Sequence, residues 1–584
     1  MCGIAGIMFR KGQPVLQASL QRMADSLHHR GPDGEGFYQD HAVGFAHRRL
    51  AIIDPEGGVQ PQMDRNSVLI ANAEIYNFME LRAAFPDYHW KSRSDCEVIL
   101  PLFARGGVGA LDRLRGMFAL ALYCPESRKL TLARDPFGIK PLYLAELPQG
   151  IIFASEPRAI LATGLVRREL NQAAALELVC HQFTAGSPTL FRGIRRLEPG
   201  EVLEIEDGAI VRRSWLKRPM PAVQDFDDDR IVHERLDQTL TDTMRLHLQS
   251  DVPYGLFLSG GIDSTSLLAM MHRLGEQATC LTAAFPGSKT VHSEAECAAR
   301  MVAHCNGSHQ RLDVTAQDFI AYFPAIMAAF DDALADYAMI PAWLLAKQAQ
   351  EAGLKVMLSG EGGDEFFAGY GRYIRQLTLR RFFSRSRFPK NRLSGTGLLR
   401  LDFEIEPSGK LVSSSSWSAL QKAQAGDING WLAPNLLLKL DRCLMAHGVE
   451  GRTPFVDTTL SPFAFALPAR MKLHRIKGRM VGKWALRSWL LRTLPDAPAL
   501  AGKKGFTVPV GSWIAEMAPR LGPLLARQNQ LGELLHIARL DHFFTHQHRR
   551  HSAACWQILA LAVWLRVHMD GVDPASHTLW SILE

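Results

Sequence analysis

Twice in its second half the chain runs an apolar stretch straight into a glycine-rich turn that carries carboxylates. These are Leu256-Phe-Leu-Ser-Gly-Gly-Ile-Asp-Ser264 and Val356-Met-Leu-Ser-Gly-Glu-Gly-Gly-Asp-Glu365. The first reads as a strand, a tight turn and the start of a helix; the second is another strand and loop. A glycine turn of this kind leaves backbone N–H groups directed at an anion beside a positive helix terminus. Both loops follow strands, which puts them at the carboxyl edge of one sheet, where α/β sites form. The first is not a Walker A loop, because no Gly-Lys-Ser/Thr follows. A generic glycine turn is its alternative reading when taken alone.

The surroundings agree. Helical apolar spacing covers 231–248, 264–274 and 342–352, and short apolar strands cover 254–258, 279–284 and 355–358. This alternation implies an α/β, doubly wound parallel sheet. After 430 the pattern is mainly helical, and 375–430 is the least regular part. The first 210 residues read instead as many short β segments, among them 43–46, 67–71, 117–123, 129–133 and 151–154. Between the halves lies Lys-Arg-Pro-Met-Pro-Ala-Val-Gln-Asp-Phe-Asp-Asp-Asp (217–229), rich in proline and acid with no apolar period. A chain of 584 residues exceeds what one core supports. The expected division is therefore 2–210, a linker at 211–230, and 231–584.

Composition removes several classes. No apolar run approaches the ~18 residues of a spanning helix. The opening Met-Cys-Gly-Ile-Ala-Gly-Ile lacks the charged start and long apolar core of a signal peptide. Nine cysteines stand singly without a Cys-x-x-Cys pair, which suits a reducing, cytoplasmic compartment and argues against a structural zinc site. The net charge of +7 comes from one place: Arg375, Arg380, Arg381, Arg385, Arg387, Lys390, Arg392 and Arg400 share a segment without an acid. One basic patch is more often a solvated face than a polyanion site, so neither nucleic acid nor membrane is expected as a partner. A homodimer is admitted as an arrangement, since nothing in the sequence sets the oligomeric state.

Cys2 is the first residue left if Met1 is removed. A terminal α-amine titrates near ~8, so it is able to accept the thiol proton and act as base for its own residue. Gly3 lets the backbone bend close to a substrate. Behind it come His29-Arg-Gly-Pro-Asp-Gly34, Ala46-His-Arg-Arg-Leu-Ala-Ile-Ile-Asp54, Asn72-Ala-Glu-Ile-Tyr-Asn77, Ser94-Asp-Cys-Glu97, Arg134-Asp-Pro-Phe-Gly-Ile-Lys-Pro-Leu-Tyr143 and Ala154-Ser-Glu156. In this order the motifs resemble the class II, N-terminal-nucleophile glutamine amidotransferases, which implies an α+β N-terminal-nucleophile sandwich. The resemblance implies that Cys2 attacks the glutamine amide and that Arg49 holds the α-carboxylate. It places Asp95 on the α-ammonium, and Asn72 with the N–H of Ala73 on the oxyanion; Glu74 joins the glutamine-binding set. Where the family has Asn-Gly-Glu, this chain has Ala73; a left-handed φ there costs alanine on the order of 1 kcal/mol.

The two glycine loops resemble those of the ATP pyrophosphatases, and 231–570 resembles the asparagine synthetase family. The resemblance implies that Ser259, Gly260, Gly261 and Ser264 cradle pyrophosphate and that Leu258, Ala283, Ser359 and Gly360 contact ATP. Asp263 and Asp364 would sit on Mg²⁺, because carboxylates facing phosphates need a bridging cation. Glu361 would be the general base toward the acceptor amine. Gly448-Val-Glu-Gly-Arg-Thr-Pro-Phe-Val-Asp457 supplies Arg452 and Asp457, and Gly482-Lys-Trp-Ala-Leu-Arg487 supplies Lys483, which would steady charge on the α-phosphate.

The implied substrates are glutamine, ATP and a carboxylate acceptor, aspartate by default. Acceptor residues are expected within 330–341, which has Asp332 and Asp336 but no arginine, and carries Ala333 and Tyr337 where many relatives differ. Another carboxylate, such as a uronic acid or a peptide, stays open. A β-lactam-synthetase-like cyclase would not need intact Cys2, Arg49, Asn72 and Asp95, and a non-catalytic scaffold would not need Glu361, Asp364 and Lys483.

Overall fold

In the computed structural model, Cys2 opens the strand β1 (Cys2–Phe9), whose residues are all buried. Residues 1, 11–12, 225, 227, 287–288, 376–390, 401–413 and 502–507 lie outside the described structure, and with them most of the basic segment 375–400. Strand β1 is central in a six-stranded sheet with β2 (Gly34–Asp40), β3 (Val43–Arg49), β8 (Tyr143–Leu147), β9 (Gly150–Ala154) and β10 (Arg195–Arg196), in the order β10-β8-β9-β1-β3-β2. A second sheet holds β4 (Gln62–Met63), β5 (Val68–Ile75), β6 (Gly116–Cys124), β7 (Lys129–Arg134), β11 (Glu201–Glu206) and β12 (Ala209–Trp215). Its order is β12-β11-β7-β6-β5-β4.

Strand periodicity explains both the packing and the site. Ile4 and Met8 share a core with Val68 and Ile70 between the two sheets. Ala5 and Ile7 point the other way, toward the helix Gln17–Ser26. Leu69, Ala71, Ala73 and Ile75 likewise pack outward against the helix Ile99–Ala110. Even-numbered positions of β1 and β5 therefore share the inter-sheet layer, and that parity puts Cys2 on the same level as Asn72 and Glu74. The N-terminal part is the expected α+β sandwich.

The expected linker started too early and ended too late. β12 continues to Trp215 and the helix Asp229–His247 begins before 230, which leaves 216–228 between them. As an edge strand, β12 is exposed at most positions and shows no apolar alternation to read.

The second part is built on a parallel sheet of β13 (Tyr254–Phe257), β14 (Thr279–Ala284), β15 (Ser308–Asp313), β16 (Val356–Leu358) and β17 (Glu450–Arg452), ordered β15-β14-β13-β16-β17. The helix Ile262–Arg273 follows the first glycine turn, where Gly260 takes a φ of 71°. Helices dominate beyond 430, among them the largely buried Ser552–His568 and, after it, Leu579–Leu583. The strand β17 is new relative to the sequence reading. Its charged residues, Glu450 and Arg452, gave no strand signal, yet both are fully buried. No helix among the described residues is long and apolar enough to cross a membrane.

Candidate active site

The Cys2 end of the site is assembled by β1, β3 and β5. Cys2 pairs with Arg49 in the β1–β3 register, and its N–H donates to Asn72 Oδ1 at 3.0 Å. The Asn72 side chain is fully buried, and its Nδ2 has no partner. A buried donor with nothing to bond is costly, which leaves this one able to serve an acceptor oxygen brought into the site. Ala73 lies within β5 and is not among the residues of positive φ. Alanine is thus unstrained there, and its N–H stays on offer. Asp95 Oδ2 accepts from Ile75 N at 2.7 Å, which ties the carboxylate to the same strand. Arg49 donates to Pro55 O and Asp54 O, both at 2.6 Å. Those two bonds fix its guanidinium beside the nucleophile strand. Burial pushes the Cys2 thiol up, and Arg49 pulls against it. A base beside the thiol is therefore needed.

Glu74 is placed where sequence alone did not put it. Its carboxylate forms an ion pair with Arg452 Nη2 at 2.9 Å across the two parts of the chain. Arg452 also donates from Nη1 to His247 O and Gln249 O, at 2.7 and 2.6 Å, and from Nε to Glu450 Oε1 at 2.6 Å. Its carbonyl accepts from Ser359 N at 2.9 Å. One residue thus touches both the second glycine loop and the strand bearing Asn72 and Ala73.

At the sheet's carboxyl edge the two glycine loops interlock. A side chain at Gly360 would meet the Asp263 Cβ at 2.8 Å, and one at Gly363 would meet Asp263 Oδ1 at 2.3 Å. Only glycine allows this approach. Within the first loop, Ser259 N donates to Ser264 Oγ at 3.2 Å and Gly261 N to Ser259 Oγ at 3.3 Å. Leu258 and Ala283 lie at the ends of neighbouring strands, where Leu258 N donates to Leu281 O at 3.0 Å. Lys483 draws the carboxylates together: it pairs with Asp263 and, at 2.8 Å, with Asp364 Oδ1. Its backbone is left-handed at φ 60°, an uncommon setting for lysine and a cost accepted at functional positions. Two carboxylates converging beside a glycine cradle form a hard oxygen donor set, which suits Mg²⁺ on phosphates.

Glu361 sits in the second loop with no hydrogen bond or ion pair among the described residues. Burial raises its carboxyl above the usual range and Lys439 works the other way. Next door, burial reinforced by Asp364 pushes the Glu365 carboxyl up to about 8. The folded chain keeps that proton where an unfolded glutamate, titrating near ~4.3, has lost it. This group's contribution to stability is whole below that value and is lost as pH rises through 8. Glu365→Gln should flatten the fall of melting temperature between about pH 5 and 9; an unchanged slope would refute the assignment.

A buried charge network joins the two parts. Arg30 Nε donates to Cys2 O at 3.3 Å, and its Nη groups bond Glu156 and Asp441 at 2.8–3.0 Å. Arg442 pairs with Glu156 at 2.6 Å and with Asp331 at 3.0 Å. Asp332, from the expected acceptor segment, pairs with Arg196 and accepts from Tyr143 Oη at 2.6 Å. Asp457 holds Arg115 Nε and Nη2 at 2.9 and 3.0 Å. None of these partners is recoverable from spacing.

Residues 235–566 match the family described as asparagine synthase, and residues 1–216 match the glutamine amidotransferase domain. Among curated relatives, the chain is 29% identical to glutamine-hydrolyzing asparagine synthetase 1 of Bacillus subtilis (strain 168), over 98% of this chain and 97% of that one. It is 30% identical to glutamine-hydrolyzing asparagine synthetase 2 of the same organism, covering 86% of this chain and 72% of that one. Identity to glutamine-hydrolyzing asparagine synthetase B of Escherichia coli (strain K12) is 29%, over 88% and 83%.

Proposed function

The chain belongs to the asparagine synthase family and carries a glutamine amidotransferase domain ahead of it, and from that premise we propose that it transfers ammonia from glutamine to aspartate at the expense of ATP. Residues 2–210 release the ammonia, and 231–584 activate the acceptor.

The Cys2 Sγ attacks the glutamine carboxamide carbon while the thiol proton passes to the residue's own α-amine. Charge on the carboxamide oxygen falls between Asn72 Nδ2 and the Ala73 N–H. Arg49 holds the α-carboxylate and Asp95 the α-ammonium. Ammonia leaves with the proton, and water releases glutamate from the thioester.

In the second site an acceptor carboxylate oxygen attacks the α-phosphorus of ATP and the bond to the β-phosphate breaks. Pyrophosphate departs into the loop of Ser259, Gly260, Gly261 and Ser264, and Lys483 offsets charge on the phosphates. Asp263 and Asp364 would hold Mg²⁺, which when bound neutralises phosphate oxygens. Ammonia then attacks the acyl carbon, Glu361 takes its surplus proton, and AMP leaves as the amide forms.

The observation that carries this reading is the convergence of Asp263 and Asp364, from two separate loops, on Lys483. A segment 330–341 without arginine favours, as a second reading, the same chemistry on another carboxylate such as a uronic acid. The test is pyrophosphate release from Mg-ATP and glutamine over a panel of carboxylates. Release with aspartate, matched by asparagine, is expected. Release only with another carboxylate would move the substrate, and silence with every one would refute the ligase.

A further inference from the structure

Asp364 rides on a helix of only four residues, Gly363–Phe366. So short a helix has little stability of its own, and its surroundings decide where the carboxylate points. The four consecutive carbonyls from 364 to 367 are all taken. Asp364 O accepts from Gly369 N at 2.8 Å, and Phe367 O from Lys483 N at 3.1 Å. Between them, Glu365 O and Phe366 O accept from a single side chain, Gln424 Nε2, at 2.7 and 2.8 Å.

Gln424 lies on the helix Ala419–Asp427 and is fully buried. An amide presents donors at one end and an acceptor at the other. Here Oε1 accepts from Lys472 Nζ at 2.8 Å, which leaves Nε2 for the carbonyls. Turned over, the amide would set its oxygen against two carbonyl oxygens and its NH2 against an ammonium. Lys472 thus fixes the direction of the clamp.

Lys472 is also fully buried. Its other bond goes to Phe465 O at 2.7 Å, and the ammonium stands 5.4 Å from the centre of the Phe465 ring. No carboxylate among the described residues pairs with it, and burial pushes its ammonium down to about 7. Lysine is almost never fully buried without a counter-charge, and such a cation weighs against the fold. Its place in the chain supplies a reason for keeping it. Lys472 closes the helix Ala469–Lys472, the hairpin of His474–Ile476 and Arg479–Val481 follows, and Lys483 stands two residues beyond. Lysines at the two ends of one hairpin therefore grip the same short helix, Lys472 through Gln424 and Lys483 through Phe367 O and Asp364 Oδ1. The packing leaves no slack. A side chain at Gly369 would strike Asp364 Oδ1 and Lys483 Cε, and one at Gly482 would strike Ala368 O.

We propose that Gln424 and Lys472 are positioning residues for Asp364: the ammonium sets the amide, the amide holds the two carbonyls behind Asp364, and the carboxylate stays on Lys483 beside Asp263. Partners one step behind a metal-holding carboxylate orient it in this way. The assignment rests on the ligase reading, in which Asp364 faces magnesium and pyrophosphate, and adds two residues that act only through it.

The test is the affinity of the full chain for magnesium pyrophosphate, measured by calorimetry. Gln424→Met and Lys472→Met should each weaken it by roughly 10- to 100-fold, with partial recovery in Lys472→Arg. Gln424→Glu keeps the volume and an acceptor for Lys472 but loses both donors, so it should fail as Gln424→Met does. Should Gln424→Met not fold, Gln424→Glu carries the test. The KM for glutamine in glutamine hydrolysis should not move in any of them. In an Asp364→Asn background, Gln424→Met should cost less than about twofold more, because coupled residues do not add. Wild-type affinity in folded Gln424 variants, or losses that add fully to that of Asp364→Asn, would overturn the inference and leave the ligase standing. No binding of magnesium pyrophosphate by the unaltered chain would remove the ligase reading and the inference with it.

Discussion

Cys2→Ala should reduce glutamine-dependent amide formation by on the order of 1000-fold or more, the scale on which removal of a covalent nucleophile acts. Activity with ammonium chloride should stay within about twofold, because the second site meets ammonia whatever its source. The asymmetry follows from where the residue sits. Cys2 begins a strand in the N-terminal sandwich, whereas Asp263, Asp364 and Lys483 belong to the parallel-sheet part. Asparagine formed from glutamine and from ammonium, measured side by side, gives the answer. Loss of both would refute two separate sites, and retention of glutamine use would remove Cys2 from the chemistry.

Arg442→Met should destabilise the protein by about 3–5 kcal/mol, since removing one partner of a buried ion pair strands the other. Arg442 is 1% exposed and stands against Glu156 and Asp331, which are equally buried. Methionine fills similar volume, so the loss reflects charge rather than a cavity. Arg128→Met offers the comparison: its pair with Asp207 is 40% and 56% exposed at the side chains, and such pairs contribute about 0–1 kcal/mol. Urea unfolding of the three proteins decides the matter. Equal midpoints for the two variants would show that the interdomain charges are solvated after all.

The legible part of this chain was the part governed by local backbone rules. The glycine loops announce themselves because Gly260 needs a positive φ and Gly360 and Gly363 must lie against Asp263. Those demands leave glycines at fixed spacing after apolar strands. The sandwich was readable because its strands alternate between two cores. What escaped was set by partners far apart in sequence. Glu74 meets Arg452, and Asp336 meets Lys439. No periodicity connects such residues, and either arginine or lysine read alone looks like a solvated surface charge. The strand β17 escaped for the same reason. Its Glu450 pairs with Arg452 on the same strand, and Arg452 in turn meets Glu74 on the other part of the chain, a partner to which a local reading has no access.

That seam bears on how such a protein could be rebuilt by recombination. Joining the first half of this chain to the second half of a relative would pair Arg30, Glu156 and Tyr143 with whatever stands opposite in place of Asp441, Arg442, Asp331 and Asp332. A single mismatch would bury an orphan charge, so a crossover in the short 216–228 connection, although it cuts no helix or strand among the described residues, is the harsher cut. Chimeras should survive only when both faces of the seam travel as one set, which makes the heritable module of this architecture the interface rather than the domain.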